Sequence, residues 1–206
     1  MKKLILYLLF IVAFYSCTLT EKQHAEFKNN LIKEYNDSIE SNSNRPLTNS
    51  KTLLEIELLS TKHEYSKKIK QLVKSGKLNY MNGYLVYKFE FESNIVAYGV
   101  ITPNFNNGKL YQIEITTIME DKMMDGLTTS LMKATMLHDI YDMKYSNIYK
   151  KFYMYNDLIS ELKVAWIGDG IEILIDGGTV KYTALSEQKN IIDEKQNRLN
   201  KKIDDL

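Results

Sequence analysis

The chain has 206 residues, which is enough for one domain or for one domain and a tether. Hydrophobic residues make up 44% of it and charged residues 26%, a mixture that is typical of globular proteins and excludes a disordered chain. The 27 basic residues nearly balance the 26 acidic ones, so the chain lacks the concentrated basic face that nucleic-acid binding needs, and no nucleic-acid partner is expected.

The N-terminus has the organisation of an export signal. Two lysines precede an unbroken apolar run over residues 4–14, and Ser16 and Cys17 follow it. A basic start, an apolar run and a small residue before a cleavage site define a secretory signal. The stretch resembles the signal of bacterial lipoproteins, in which the cysteine is lipidated and becomes the first residue after cleavage. The resemblance implies a signal peptide over residues 1–16, a lipid such as palmitate on Cys17, and a place in the bacterial cell envelope.

Three other interpretations compete for these first residues. A buried core helix is one, and the Met-Lys-Lys start argues against it. A membrane-spanning helix needs about 20 apolar residues, and the run over residues 4–14 is shorter than that. An ordinary secretory signal has small residues at both the −1 and the −3 position, which this stretch lacks. An uncleaved anchor is therefore the main alternative to lipidation. Cys17 is the only cysteine, so a lipid there leaves no thiol for a disulfide or a metal site.

Residues 21 to about 40 predict a helix, because apolar side chains recur at every fourth position. These side chains are Phe27, Leu31, Tyr35 and Ile39. Residues 41–46 end the pattern with turn-forming residues and a proline. We interpret residues 17–50 as an N-terminal helix and linker that tether the lipid to a domain over residues 51–206. The alternative is that this helix packs back onto the domain through its apolar stripe.

A second helix is predicted from Thr52 to about Gly76. Thr52 and Glu55 have the spacing of a capping box, in which a hydroxyl and a carboxylate each satisfy a free backbone donor. The segment from Leu54 to Leu58 also alternates between apolar and acidic residues, as a strand would. The length of the apolar pattern favours the helix.

From residue 77 onward, the apolar period changes to two, and tight-turn signals such as Asn82-Gly83 separate the β-rich runs. Strands are predicted over 84–91, 95–101, 109–118, 148–155, 161–167, 171–176 and 179–185, with helices over 121–143 and 186–204. This order predicts an α+β fold, an antiparallel meander sheet with helices, whose halves suggest two α-β-β-β units. Small periplasmic inhibitors and lipoprotein modules use such tandem arrangements, which is a similarity of fold alone.

No catalytic or nucleotide-binding motif occurs in the sequence. His138 and Asp142 lie four residues apart on the predicted third helix and form at best half of a metal site. His138 falls on an apolar face, which favours a hydrogen-bonded core histidine, with Asp142 as a candidate partner. No spacing selects a catalytic pair among the candidate carboxylates Asp121, Asp125, Asp139 and Glu161. The sequence therefore predicts no catalytic residue, no metal and no cofactor, and a protein that is not an enzyme.

Tyrosines are numerous, with 15 in the chain. Eight of them lie in or beside predicted strands: Tyr80, Tyr84, Tyr87, Tyr98, Tyr111, Tyr153, Tyr155 and Tyr182. Exposed on a sheet, they would form a platform for a glycan, a peptide or a partner protein. We favour the simpler interpretation that aromatic residues suit strands because they pack well on a pleated surface.

The third helix is predicted to be apolar on two sides. One side consists of Leu127, Leu131, Ala134, Leu137 and Tyr141, and the nearly opposite side of Met132, Met136, Ile140 and Met143. We call the second set the methionine stripe. Such a helix is either sandwiched between layers or presents one side to a partner. We expect the first or last helix to cover the stripe, which is otherwise the candidate partner-binding surface.

These features together predict a lipid-anchored cell-envelope protein, on the periplasmic or cell-surface side of a membrane, that binds an unknown protein or glycan. One alternative is a hydrolase of envelope or extracellular polymers, which two facing carboxylates in a concave site would support. Another is an inhibitor or immunity-type protein, which the two-unit architecture suggests.

Overall fold

A computed structural model describes residues 21–48, 50–90, 96–119, 126–156 and 161–204. The chain divides into two compact units, residues 1–36 and residues 37–206. Helix α1 spans Glu21–Ser43, and Phe27 of its predicted apolar stripe is 59% exposed. Cys17 and the signal region lie outside the described residues. Within the described ranges, no helix is long and apolar enough to cross a lipid bilayer.

An antiparallel sheet of eight strands dominates the unit of residues 37–206. The strands are β1 (Asn79–Met81), β2 (Tyr84–Glu90), β3 (Val96–Asn106), β4 (Lys109–Met119), β5 (Lys150–Asn156), β6 (Glu161–Gly168), β7 (Ile171–Asp176) and β8 (Thr179–Ala184). Three helices accompany them: α2 (Lys62–Lys74), α3 (Gly126–Tyr145) and α4 (Leu185–Asp204). The α+β fold predicted from the sequence is confirmed.

The sheet consists of two meanders joined at their last strands. Its order is β1-β2-β3-β4-β8-β7-β6-β5, so β4 and β8 are neighbours. They pair antiparallel, with Ile115 opposite Val180. Helix α2 precedes the first meander and α3 the second, so each half is one helix followed by four strands. The short strand β1 was not predicted, although the turn that follows it was.

Three of the hairpins close through two-residue turns with both residues at positive φ. These turns are Asn82-Gly83, Asn107-Gly108 and Asp169-Gly170. Backbone of this hand matches the twist of the flanking strands, and asparagine and aspartate adopt it at little cost. The turn residues therefore fix where each strand ends and which strand it pairs with.

One face of the sheet, here called the core face, packs against α2 and α3. Its buried side chains include Ile113, Ile115, Trp166, Ile173, Val180 and Tyr182, and the helices contribute Ile69, Leu72, Leu137 and Tyr141. At Gly99 on this face, a Cβ would lie only 2.5 Å from the side chain of Ile115, so the sheet requires glycine there. We call the opposite face of the sheet the outer face.

The predicted start of the second helix near Thr52 is wrong, because α2 begins at Lys62. Thr61 is its N-cap: the Thr61 hydroxyl accepts from the Glu64 N–H at 3.3 Å, and the Glu64 carboxylate accepts from the Thr61 N–H at 2.8 Å. This is a capping box with the predicted chemistry, located later in the chain.

The preceding residues 51–60 form turns, with positive φ at Glu55 and Leu59. Such φ values are incompatible with a helix. Leu54, Ile56 and Leu58 are buried in the core, whereas Glu55 is exposed. The alternation of apolar and acidic residues therefore reflects side chains that are buried and exposed in turn along an irregular segment, and it indicates neither a strand nor a helix.

The segment predicted as a linker contacts the turn between β6 and β7. The Thr48 N–H donates to the Asp169 carbonyl at 3.4 Å. A Cβ on Gly170 would lie 3.1 Å from the carbonyl oxygen of Arg45. Since Asn42 and Ser43 at the end of α1 are also buried, residues 42–48 belong to the folded unit.

Candidate functional site

The outer face carries charged and polar side chains where the two halves of the sheet meet. Ile113 and Ile115 of β4 point into the core, so Glu114 between them points to the outer face. The register of β4 and β8 places Lys181 directly opposite Glu114. Both residues are half-buried, which leaves part of each charge accessible to solvent.

Hydrogen bonds between side chains cross this face. Asn104 Nδ2 donates to Gln112 Oε1 at 2.9 Å, and Gln112 Nε2 donates to Thr183 Oγ1 at 3.1 Å, which links β3, β4 and β8. Further along β4, the hydroxyls of Thr116 and Thr179 lie 3.3 Å apart. Thr183 itself is buried, but the bonds hold Asn104, Gln112, Thr116 and Thr179 in fixed orientations, so a partner would meet an ordered surface there.

Opposite charges alternate along the outer face. On β6 and β7, Lys163 Nζ donates to Asp176 Oδ2 at 2.8 Å. Together with the register pair Glu114 and Lys181, this gives two positive and two negative groups. These four groups balance one another in charge.

Exposed aromatic and apolar side chains also lie on the outer face, on β2 level with Glu114 and further along β4. Tyr84 is 62% exposed and Ile118 is 48% exposed. Tyr98 is half-buried and lies opposite Ile118 in the register of β3 and β4. A surface that combines exposed tyrosine with ordered polar groups is typical of protein interfaces.

The predicted tyrosine residues do not share one platform. Tyr182 is buried in the core and Tyr87 packs against it, whereas Tyr84 and Tyr98 lie on the outer face. Tyr153 lies on the opposite side of the sheet, beside α3. Of the remaining three, Tyr80 is exposed, Tyr111 is half-buried, and the side chain of Tyr155 lies outside the described part.

His138 and Asp142, the residues considered for a metal site, have different partners. His138 Nδ1 lies 3.2 Å from Asp139 Oδ1, and His138 Nε2 lies 3.4 Å from the Tyr153 hydroxyl. The Lys151 ammonium donates to the Asp142 carboxylate and holds the pKa of that carboxyl below its ordinary value. The proposed His138–Asp142 hydrogen bond is therefore replaced by two separate pairs. Across the described part of the chain, no three His, Cys, Asp or Glu side chains cluster as metal ligands.

The carboxylates considered for hydrolysis do not meet as a pair within the described residues. Asp139 interacts with His138 and its side chain is 71% exposed. Asp121 and Asp125 and the side chain of Glu161 lie outside the described part. A pocket of about 400 Å³ lies between α4 and the β3–β4 turn. Its Glu187 accepts hydrogen bonds from Asn106 and Asn190.

The methionine stripe does not form one continuous surface. Met136 and Ile140 are half-buried, and Ile140 packs against the core. Met143 is 81% exposed, so the expectation that another helix covers the stripe is wrong at this end. The side chain of Met132 lies outside the described part. The opposite side of α3 packs in the core as predicted, through Ala134, Leu137 and Tyr141.

A basic stripe on α2 is a feature that the sequence reading missed. His63, Lys67, Lys70 and Lys74 are all exposed, on the side of the helix away from buried Ile69 and Leu72. Their spacing of four, three and four residues places them in one line along the helix. The helical spacing of these four basic residues is present in the sequence, but the prediction considered only the nearly neutral charge of the whole chain.

No protein-family model matches the chain, and neither does any curated protein sequence or solved structure. The function proposed below therefore depends on the geometry of the surfaces and on the N-terminal sequence.

Proposed function

We propose that the chain is a lipid-anchored protein of the bacterial cell envelope that binds another protein through the outer face of its sheet. The lipid is carried by Cys17, as the resemblance of the N-terminus to lipoprotein signals implies. The observation that carries the binding role is the outer face itself, an ordered array of hydrogen-bonded polar side chains continuous with exposed Tyr84 and Ile118.

A partner protein fits this face better than a glycan. The alternating charges of Glu114, Lys181 and the Lys163–Asp176 pair suit a partner with charges of both signs.

A hydrolase has less support from the geometry. Lys151 holds the pKa of Asp142 below its ordinary value, and Lys68 does the same for Glu55. A carboxylate that is held ionised by a lysine is unsuited to act as a general acid. Catalysis by paired carboxyl groups would need one group with a raised pKa beside an ionised one.

An inhibitor or immunity-type role is the second candidate, and one observation favours it. The pairing of β4 with β8 joins the two halves into one sheet, so the outer face spans both halves. In the second half, Phe152, Ala165 and Ile167 share this face but are buried, so its accessible part lies around β4 and β8. That part, which both halves supply, can cover the active-site region of an enzyme. This role is a special case of protein binding, in which the partner is an enzyme.

Site-specific photo-crosslinking in the native envelope tests the binding proposal. A photoreactive residue at Thr116, which is exposed on the outer face, should give a discrete adduct with a protein. The same residue at Lys195, exposed on α4, serves as the matched control and should not give that adduct. Identical adducts from both positions, or none from Thr116, would overturn the proposal. An adduct that resists protease but is removed by glycan-degrading enzymes would identify a glycan instead.

The anchor is tested separately by mass spectrometry of the mature N-terminus. After expression of the full chain in a bacterium, we expect a chain that begins at acylated Cys17. Cys17→Ala should abolish acylation and shift the protein out of the detergent phase. A chain that still begins at Met1, or an unmodified Cys17, would contradict lipidation without affecting the crosslinking result.

A further inference from the structure

Charge is distributed unevenly along this nearly neutral chain. Residues 62–77, which contain α2, carry six lysines and one glutamate, a net charge of +5. The rest of the chain carries 21 basic and 25 acidic residues. One short segment is thus strongly basic in a molecule that is otherwise slightly acidic.

The fold gathers this charge on one side of α2. The helix buries Ile69 and Leu72 against the sheet and exposes Lys67, Lys70 and Lys74 on the opposite side. From Lys67 to Lys74 the helix rises about 10 Å, at 1.5 Å per residue. The three ammonium groups therefore project from one line that faces away from the core.

These three lysines have no acidic partner within the described residues, in contrast to their neighbours on the same helix. Lys68 lies 3.4 Å from Glu55, and Lys62 lies over the ring of Phe105 at 5.6 Å from its centroid. The one acidic residue of α2, Glu64, is held by its capping bonds to Thr61. The charge of Lys67, Lys70 and Lys74 is thus available to a ligand.

We infer that the basic stripe of Lys67, Lys70 and Lys74 docks on the anionic phospholipid headgroups of a membrane. The inference adds to the proposed function, because a lipid on Cys17 would hold the chain at that membrane. Tethering raises the effective concentration of the stripe at the surface, so a weak electrostatic contact is sufficient.

A membrane surface suits the stripe better than a nucleic acid does. Duplex binding needs a basic area wide enough to neutralise many phosphates, and one helical line of three lysines offers few contacts. A layer of small headgroups can instead adapt to a narrow basic line.

Vesicle co-sedimentation of a chain without lipid tests the inference. Residues 17–206 carrying Cys17→Ser retain the compact unit of residues 37–206 and its core. We expect this chain to bind vesicles of phosphatidylethanolamine and phosphatidylglycerol at low salt and to be released at high salt. Replacing Lys67, Lys70 and Lys74 with Gln should lower the partition coefficient about fivefold per lysine, roughly a hundredfold in total.

The matched control neutralises three exposed lysines elsewhere, at Lys33, Lys109 and Lys195, and should lower partitioning far less. Equal losses in the two triple variants, absence of binding by the parent chain, or equal binding to phosphatidylcholine vesicles would overturn the inference. Tighter binding to duplex DNA than to the anionic vesicles would replace the membrane with a nucleic acid. Since this chain carries no lipid, its failure to bind would leave the acylation and crosslinking tests unaffected.

Discussion

Two tyrosines in the core, Tyr141 and Tyr182, use their hydroxyl groups to connect β8 to α3 and to the turns over residues 51–60. The Tyr182 hydroxyl on β8 donates to the Tyr141 hydroxyl on α3 at 3.0 Å and accepts from the Leu53 N–H at 3.0 Å. Tyr145 lies 5.8 Å from Tyr141, measured between ring centroids. Burial raises the pKa of both Tyr141 and Tyr182, so both stay protonated and able to donate.

Tyr182→Phe should lower the free energy of unfolding by about 1–3 kcal/mol, because it leaves the half-buried Leu53 N–H without its acceptor and removes the hydrogen bond to the buried Tyr141 hydroxyl. Urea denaturation measures the change. Tyr84→Phe, which removes the same hydroxyl from an exposed side chain, is the control and should be nearly neutral. An equal effect of the two substitutions would show that the hydrogen bonds of Tyr182 contribute nothing.

The Asp142–Lys151 pair makes a pH-dependent contribution to stability. The folded-state pKa of Asp142 is lowered from 3.8, first through the hydrogen bond from Lys151. A group of this kind stabilises the fold above its unfolded pKa and loses that effect as the pH falls through the lowered value. Asp142→Asn should therefore cost about 0.2–1 kcal/mol at neutral pH, since solvent reaches the pair, and progressively less below about pH 4. Thermal unfolding of the parent chain and of Asp142→Asn, at neutral pH and below about pH 4, measures this cost. A cost that is the same at the two pH values would contradict the prediction.

At the scale of the element, α3 has one side packed against the sheet and another that is exposed to solvent at its C-terminal end. Leu137 is buried against the sheet, whereas Met143 is 81% exposed. The apolar residues on its two sides made the sequence ambiguous, since a second layer and an open surface produce the same pattern.

Leu137→Ala should cost roughly 2–5 kcal/mol of unfolding free energy, because it removes buried side-chain volume that the sheet cannot refill. Met143→Ala removes a side chain of similar size from an exposed position and should change stability little. Chemical denaturation of both variants makes the comparison. A large loss at Met143 would mean that this end of the stripe is covered in solution.

Helices and strands were predicted correctly from the sequence where their position depends on residues that are close together in the chain. The turn Asn82-Gly83 and the alternation in β4 located the strands close to their observed bounds. The start of α2 was missed because Thr52 and Thr61 each precede a glutamate by three residues, and only tertiary burial of Leu54 and Ile56 selects the second.

Features that depend on strand pairing between the halves were not predictable from local signals. The pairing of β4 with β8 brings together residues that are far apart in sequence, and without this pairing the two halves would not share an outer face. The contact of Lys151 with Asp142 was not predictable from local patterns either, because it joins a strand, β5, to a helix, α3. The basic stripe differs: Lys67, Lys70 and Lys74 show it in sequence, once the burial of Ile69 defines the opposite side.

At the scale of the whole molecule, residues 37–206 share one core. Ile115 from the first half and Val180 from the second are opposite each other in the sheet, and both are buried. Neither half can cover its last strand without the other, because separation would expose the open edges of both β4 and β8. The two halves therefore have the same order of helix and strands, but neither is expected to be stable without the other.

We accordingly expect residues 37–206 to unfold in one cooperative transition. Far-UV circular dichroism reports both halves, whereas fluorescence of Trp166, the only tryptophan, reports the buried core of the second half. The two signals should change at the same denaturant concentration, as two-state unfolding requires. A fragment of residues 37–119, which lacks β8, should fail to show a cooperative transition of its own. Two separated transitions in the longer chain would mean that the halves fold independently, and would weaken the view that the outer face acts as one surface.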